Sequence, residues 1–311
     1  MRAGTLEAQG LTKQYGETAA VEDLSFTVHP GQVTGFLGPN GSGKSTTMRM
    51  FLGLDRPDSG KALVGGRPFG QFRHPLREVG AVLDAKAVHP GRTAYSHLLS
   101  LAYSNRIGRA RVAEVLDVVG LVEVAHKQVG GFSLGMTQRL GIATALLGDP
   151  QVLLLDEPLN GLDPEGVRWV RDLMKGLAAE GRTVFVSSHL LSEMEVTADH
   201  LIVIGRGRLI TEASVREVIE AGSRGPVKVR SPQAIQLAGQ LRKAGAQITV
   251  DDEAALLVTG LDSTQIATIA SHCGALLHEL TVQHASLETA FMELTSGTTE
   301  YRSRSDAAGP G

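Results

Sequence analysis

The sequence lacks several features that would point to particular classes of protein. Among 311 residues it has one cysteine, Cys273, so an intrachain disulfide is excluded and a reducing compartment is expected. No run approaches the roughly 18 apolar residues that span a bilayer, and the opening MRAGTLEAQGLTKQYG has no apolar core of signal-peptide length. The net charge of -3 gives no indication of a nucleic-acid partner. We therefore expect a soluble chain that reaches a membrane only through other subunits.

What the sequence does contain is a set of apolar runs typical of buried parallel strands. They are Gln32–Gly38, Gln151–Pro158 and Arg182–His189. Helical patterns lie between them, as in the segment that starts at Glu165, and this alternation predicts an α/β domain. The opening segments LEAQGLTKQY and VEDLSFTVHPG alternate in polarity instead, which favours antiparallel strands.

The pattern divides the chain into two domains. An α/β domain is predicted over 1–219, with a helical subdomain at about 88–150, and the glycine-containing segment 220–226 is predicted to be a linker. Residues 227–300 follow the order β-α-β-β-α-β, typical of a small ferredoxin-like α+β domain, and then a helix from Ser286 to Thr295. The tail 301–311 has little to bury and is predicted to be disordered.

A phosphate-binding loop is predicted between the first buried strand and the helix that begins at Lys44. Gly38, Gly43, Lys44 and Ser45 match the pattern G-x-x-x-x-G-K-[ST]. Glycines let backbone N–H groups surround a phosphate, the lysine reaches the β- and γ-phosphates, and the serine hydroxyl is a ligand for Mg²⁺. The predicted loop comprises Gly38, Pro39, Asn40, Gly41, Ser42, Gly43, Lys44, Ser45 and Thr46. The alternative is a chance glycine turn between strand and helix.

Two adjacent carboxylates, Asp156 and Glu157, end a second buried strand. Open α/β sheets bind ligands at the carboxyl ends of their strands, so Asp156 suits Mg²⁺ and Glu157 suits a base that polarises water. The alternative is a simple pair of acids at a strand end.

The segment before that strand, FSLGMTQRLGIATALLGDP from Phe132 to Pro150, separates the possible families. It is predicted to be helical from Thr137, with the residues SLG at the start of the helix, where free backbone N–H groups can meet an anion. The chain would then have a second helix end suited to phosphate.

With these motifs in this order, residues Leu6 to Ile219 resemble the ATP-binding subunits of ABC transporters, which are P-loop NTPases with an antiparallel β subdomain and a helical subdomain. Each family motif has a counterpart in the sequence. They are Tyr15 at the adenine position, Walker A at Gly38–Ser45, the signature at Phe132–Met136, Walker B at Val152–Asp156 followed by Glu157, the D-loop at Asn160–Asp163, and the switch histidine His189.

The resemblance implies that ATP and Mg²⁺ bind between two copies of the chain. Glu157 and His189 would be catalytic, and Ser45, Asp156 and Asp84 would be the candidate Mg²⁺ ligands. The partner copy would contribute a signature composed of Ser133, Leu134, Gly135 and Met136, with Asp163 of the D-loop beside it. Two departures from the family occur: Leu134 and Met136 replace a glycine and a glutamine, and Asp84 stands where the Q-loop glutamine is expected.

Local alternatives exist for three of these residues. His189 on its own would be read as a core histidine, Tyr15 as a tyrosine that packs on a strand, and Asp163 as the residue that starts the turn before Pro164.

The resemblance further implies a separate integral-membrane permease at the cytoplasmic side of the membrane, with export of drugs or other hydrophobic compounds as in the ABC-2 class. A soluble, non-transporting ABC ATPase that clamps a macromolecule is the alternative, and a small-molecule kinase is a third possibility. The C-terminal domain is expected to brace or regulate the dimer, unless it is a passive extension.

Overall fold

The computed structural model describes residues 4–84, 87–221, 226–251, 255–282 and 287. The chain forms two compact units that are divided between Ser214 and Val215. The strands of the first unit are β1 (Leu6–Tyr15), β2 (Thr18–Val28), β3 (Val33–Leu37), β4 (Ser59–Val64), β5 (Val79–Val82), β6 (Val152–Asp156), β7 (Thr183–Ser188), β8 (His200–Gly205) and β9 (Arg208–Ser214). Its helices are α1 (Lys44–Phe51), α2 (Ala94–Ser104), α3 (Arg109–Val118), α4 (Leu134–Leu146), α5 (Pro164–Ala179) and α6 (Leu191–Thr197).

The central sheet of this unit has six strands in the order β5-β6-β7-β3-β8-β9, and β9 alone is antiparallel to its neighbour. The apolar runs predicted as buried strands form β3, β6 and β7, and every residue of β3 and β7 is buried. The prediction of a parallel α/β sheet is therefore confirmed. Because β3, β5, β6 and β7 run in parallel, the loops that follow them leave from one edge of the sheet.

A second sheet of this unit has three antiparallel strands in the order β2-β1-β4, as the alternating pattern of the opening segments predicts for β1 and β2. A hydrophobic core joins it to the central sheet and α1. Four phenylalanines lie at its centre, and the rings of Phe36 and Phe185 approach to 4.9 Å between centroids. Burial of such side chains stabilises a fold by about 1.5–3 kcal/mol each. This core fixes the loop after β3 relative to the loop after β6.

Helices α2, α3 and α4 occupy the stretch 88–150, where a helical subdomain is expected. The predicted start of the last helix at Thr137 is wrong, since α4 begins at Leu134 and is capped by Ser133. Leu134 and Gly135 lie off the apolar stripe of this helix, whereas Met136 continues the stripe of Leu140 and Ala143, and a serine cap is a common start signal, so signs of the extra turn were present in the sequence.

The second unit begins with α7 (Val215–Ala221), which the sequence analysis assigned largely to the first domain. Its remaining elements are β10 (Val227–Arg230), α8 (Ala234–Lys243), β11 (Gln247–Val250), β12 (Leu256–Thr259), α9 (Ser263–His272) and β13 (Glu279–Val282). From β10 onward they follow the order β-α-β-β-α-β, and the antiparallel sheet has the strand order β11-β12-β10-β13. Helices α8 and α9 contribute to the core of this unit, in which Leu237 and Ile266 are fully buried.

Several sequence predictions lie outside the described residues. They concern the linker residues 222–225, the predicted helix from Ser286 to Thr295 apart from Leu287, and the tail 301–311. Among the described residues, no helix combines the length and the apolarity needed to cross a bilayer.

Candidate nucleotide-binding site

The loop after β3 has the backbone that the phosphate-loop motif requires. Gly41 and Gly43 have φ values of 79° and 101°, a region that glycine adopts without strain. A Cβ on Gly43 would lie 2.4 Å from the Ala20 carbonyl oxygen, and one on Gly38 would lie 2.5 Å from the Ile204 carbonyl oxygen. The close packing of this loop therefore excludes side chains at both positions.

Helix α1 begins at Lys44 directly after this loop, and no side chain caps its first turn. The free N–H groups of such a turn and the helix dipole attract anions. The Ser45 hydroxyl is exposed on this turn, and Thr46 is partly buried beside it. Ser42 Oγ is buried and has no hydrogen-bond partner among the described residues. Polar groups that need a partner thus border the loop, which fits the binding of a phosphate.

The Lys44 side chain folds back over the loop. Its Nζ donates hydrogen bonds to the carbonyl oxygens of Gly38 at 2.7 Å and Pro39 at 3.2 Å. Burial lowers the pKa of Lys44 from its ordinary value, and the nearby carboxylates of Glu157 and Asp156 oppose that shift. A phosphate would bring negative charge to this ammonium and would favour its charged form.

The acid pair lies at the same edge of the sheet, where β6 ends. Glu157 turns away from the strand with a φ of 50°, an uncommon value for a residue with a side chain. Its Oε2 lies 2.8 Å from His189 Nδ1 and accepts a hydrogen bond from Asn160 Nδ2 at 3.4 Å. The structure therefore brings together three predicted elements: the phosphate loop, the acid pair and His189.

Sequence reasoning did not single out Ser187, which contacts both members of the acid pair. Its hydroxyl donates to Asp156 Oδ1 and accepts a hydrogen bond from the Glu157 backbone N–H at 3.0 Å. A signal was present in the sequence, because Ser187 and Ser188 interrupt an apolar run just before His189.

Tyr15 ends β1, and 49% of it is exposed, so it is not a core residue of the strand. Its hydroxyl donates to Asp55 Oδ2 at 2.8 Å, and that hydrogen bond raises the pKa of Tyr15. Asp55 in turn accepts from Arg49 Nε at 2.7 Å. The ring is therefore held in place with much of its surface open, which suits stacking on a flat base. Asp55 and Arg49 were not predicted.

The signature residues lie at the start of α4. Ser133 Oγ accepts a hydrogen bond from the Met136 N–H at 3.2 Å and so caps its own helix. Leu134 is 48% exposed and lies against Gly161 of the D-loop, where an added Cβ would be 2.1 Å from Leu134 Cδ2. Gly135 and Met136 are partly buried.

The two remaining predicted site residues are Asp163 in the D-loop and Asp84 after β5. Asp163 caps α5, because its Oδ1 accepts a hydrogen bond from the Gly166 N–H at 2.9 Å. This supports the local role of Asp163 and leaves its role across a dimer as a prediction. Asp84 is exposed and lies two residues after β5, at the edge of the sheet where β6 ends. Within the described part of the chain, no three potential metal-binding side chains form a cluster.

Comparison with known proteins agrees with this geometry. The family model described as ABC transporter matches residues 21–160, and a domain of unknown function, DUF8746, matches residues 225–288. A bacterial ABC transporter cassette solved as a dimer superposes with a TM-score of 0.63 at 25% identity, covering 68% of this chain and 99% of that one.

Two curated relatives are similar over long stretches. The uncharacterized ABC transporter ATP-binding protein YhcH of Bacillus subtilis is 37% identical over 95% of this chain and 97% of its own length. The bacitracin transport ATP-binding protein BcrA of Bacillus licheniformis is 44% identical over 67% of this chain and 69% of its own length.

The fold and the site thus define a P-loop ATPase of the cassette type. The chain belongs to the ATP-binding proteins of ABC transporters. As a member of this family it is an ATP-binding, ATP-hydrolysing subunit that powers a separate permease.

Proposed function

We propose that two copies of this chain close on Mg-ATP and that hydrolysis reopens them, driving a separate exporter permease. The observation that carries the proposal is the convergence of Lys44, the acid pair and His189 at one sheet edge. The homologous cassette solved as a dimer supports pairing of two chains.

Binding rests on the loop and the side chains around it. The backbone N–H groups of residues 40–46 and the Lys44 ammonium bind the phosphates, while the exposed ring of Tyr15 stacks on the adenine. Ser45 and Asp156 would hold Mg²⁺, with Asp84 as a further candidate, since hydroxyl and carboxylate oxygens are its preferred ligands. When bound, Mg²⁺ neutralises phosphate charge.

Hydrolysis rests on Glu157 and His189. The Glu157 carboxylate accepts a proton from the attacking water, a role that contributes about 10²–10⁴ in rate. His189 Nδ1 lies 2.8 Å from the same carboxylate and fixes its orientation, which leaves the other ring nitrogen to contact the γ-phosphate. The partner copy supplies Ser133, whose hydroxyl exchanges its bond to Met136 for one to the phosphate.

The relative BcrA is named for bacitracin transport, and we propose that this chain serves the export of drugs or other hydrophobic compounds from the cytoplasmic side of the membrane. A second copy and an integral-membrane permease are its proposed partners, with no role for nucleic acid. The residues after about 222 are proposed to form a separable domain that braces or regulates the dimer.

Co-expression with a candidate permease, such as a multi-span membrane protein encoded by a neighbouring gene, tests the proposal. The chain alone should remain in the soluble fraction, and with the permease it should sediment with membranes and resist a salt wash. Cells with the pair should tolerate more of the exported compound than cells carrying Glu157→Gln. Equal tolerance with both forms, across a panel of hydrophobic antibiotics, would argue against drug export. Tight membrane binding by the chain alone would contradict recruitment through a permease.

A further inference from the structure

Strand β7 contains three buried hydroxyl side chains, those of Thr183, Ser187 and Ser188, at positions where apolar side chains would be expected. All of Thr183–Ser188 is buried, and Ser187 has 0% exposure. Burying a hydroxyl without a partner destabilises a protein, so such a group persists when it makes hydrogen bonds. Ser187 makes its hydrogen bonds to the two residues at the end of β6.

The register of the sheet places Ser187 beside the acid pair. Ser187 is the neighbour of Asp156 across the parallel strands β6 and β7. Its hydroxyl donates to Asp156 Oδ1, so the carboxylate is held in one orientation. The same oxygen accepts a hydrogen bond from the Glu157 N–H at 3.0 Å, and the Ser187 carbonyl accepts from it at 3.3 Å. One residue thus anchors a side chain and the next backbone amide.

The anchored amide belongs to a strained residue. Glu157 has a φ of 50°, and a side-chain-bearing residue in this sparsely populated region is strained and persists only where the surrounding structure holds it. This turn directs the Glu157 carboxylate to His189, at 2.8 Å.

We propose that Ser187 is a positioning residue for hydrolysis: it fixes the Asp156 carboxylate and the Glu157 turn at once. The inference rests on the proposed role of Glu157 as general base. Ser187 itself touches neither nucleotide nor water in this account. Its contribution is geometric, and outer hydrogen-bond partners of this kind typically change activity about 10- to 100-fold.

A matched pair of variants tests it in the full-length protein. Ser187→Ala removes the anchoring hydroxyl, while Thr183→Val removes another buried hydroxyl at the far end of β7, where Thr183 donates to the Gly4 carbonyl. We expect kcat for Mg-ATP to fall about 10- to 100-fold in Ser187→Ala, with ATP affinity changed less than about threefold. Thr183→Val should keep the wild-type kcat, and Ser187→Thr, which retains the hydroxyl, should restore most of it.

A second readout is independent of turnover. In nucleotide-free protein, hydrogen exchange of the Glu157 amide should be faster in Ser187→Ala and unchanged in Thr183→Val. If Ser187→Ala folds poorly, Ser187→Cys is the second variant: its S–H is a weaker donor than the serine hydroxyl, so kcat should fall in the same direction but by less. Equal kcat in Ser187→Ala and Thr183→Val would overturn the inference, as would a Ser187→Thr variant as slow as Ser187→Ala.

The variant Glu157→Gln distinguishes a failure of the proposed base, Glu157, from a failure of the positioning role of Ser187. If Glu157→Gln hydrolyses ATP normally, the proposed base is wrong. If Glu157→Gln is inactive and Ser187→Ala is fully active, the base stands and the positioning role of Ser187 fails.

Discussion

Helices α1 and α4 both begin at polar loops, but they satisfy their first backbone amides differently. Helix α1 follows Gly43, whose φ is 101°, and has no side-chain cap. Helix α4 is capped by Ser133, whose hydroxyl accepts from the Met136 N–H. At the start of α1 the buried Lys44 donates a hydrogen bond to the carbonyl oxygen of Gly38 in the preceding loop. At the start of α4 the side chain of Leu134 is exposed. We infer that α1 retains the nucleotide of its own chain, whereas α4 responds to the nucleotide of a partner.

The largest expected effect comes from the geometry of the α1 loop. Gly43→Ala would place a Cβ 2.4 Å from the Ala20 carbonyl oxygen, whereas at Gly41 an added Cβ meets nothing within 4 Å. Both positions have positive φ, so both substitutions cost backbone strain of about 1–3 kcal/mol, but only Gly43→Ala adds a clash with backbone. Titration with ATP should show a loss of more than about 100-fold for Gly43→Ala and a smaller one for Gly41→Ala. Equal losses would show that strain alone governs the loop.

Removal of the lysine at α1 should have the next largest effect. Lys44→Ala removes charge-assisted hydrogen bonds worth about 1.5–3 kcal/mol each to a bound phosphate, so ATP affinity should fall roughly 10- to 150-fold. Lys61→Ala, at an exposed position on β4, is the control and should bind ATP as the wild type does. Unchanged ATP affinity and turnover in Lys44→Ala would refute the assignment of the phosphate loop.

At α4, the contact between Leu134 and Gly161 gives a structural test. Gly161→Ala would clash with Leu134 and strain a residue with φ of 75°. The free energy of unfolding should fall by about 1–3 kcal/mol, while ATP binding by the isolated chain stays unchanged. Leu134→Ala in the same chain should relieve the steric part, as measured by denaturant titration. If Gly161→Ala weakens ATP binding by a single chain, α4 and α1 are not separate in function.

The smallest effect is expected from the cap of α4. Ser133→Ala removes an N-cap worth about 1 kcal/mol of unfolding free energy. Thr93→Ala removes the corresponding cap of α2, where Thr93 Oγ1 accepts from the Ser96 N–H. Both variants should lose similar stability, but only Ser133→Ala should weaken ATP-dependent dimer formation. Equal dimer formation in the two variants would leave Ser133 with a structural role alone.

The sequence predicted the chemistry of α1 better than that of α4. Gly38, Gly43 and Lys44 lie close together in the chain, so spacing alone defined their arrangement. At α4 the first turn was missed, because Leu134 and Gly135 lie off the apolar stripe that Met136 and Leu140 share. A motif with several residues at fixed spacing is readable, whereas one candidate cap residue such as Ser133 does not by itself locate the start of a helix.

Contacts between segments that are distant in the chain could not be predicted from the sequence either. Ser187 meets Asp156 through the register of two strands, and Asp55 meets Tyr15 forty residues away in the chain. Continuous apolar runs predicted β6 and β7 as strands, but their register depends on packing of the whole sheet. The backbone turn at Glu157 has no sequence signal either, since glutamate rarely adopts positive φ.

The central claim is that one ATP molecule contacts the N-terminus of α1 in one chain and the N-terminus of α4 in a second chain. Size-exclusion chromatography with light scattering, with and without saturating Mg-ATP, tests it on Glu157→Gln. This variant removes the basic carboxylate, so hydrolysis should fall about 10²–10⁴-fold while ATP binding persists, and the closed dimer should accumulate. Adding Ser133→Arg should abolish that dimer, because a bulky side chain would occupy the docking place of the partner's phosphate. A Glu157→Gln protein that loses hydrolysis yet stays monomeric in Mg-ATP, or a double variant that dimerises equally well, would contradict the account.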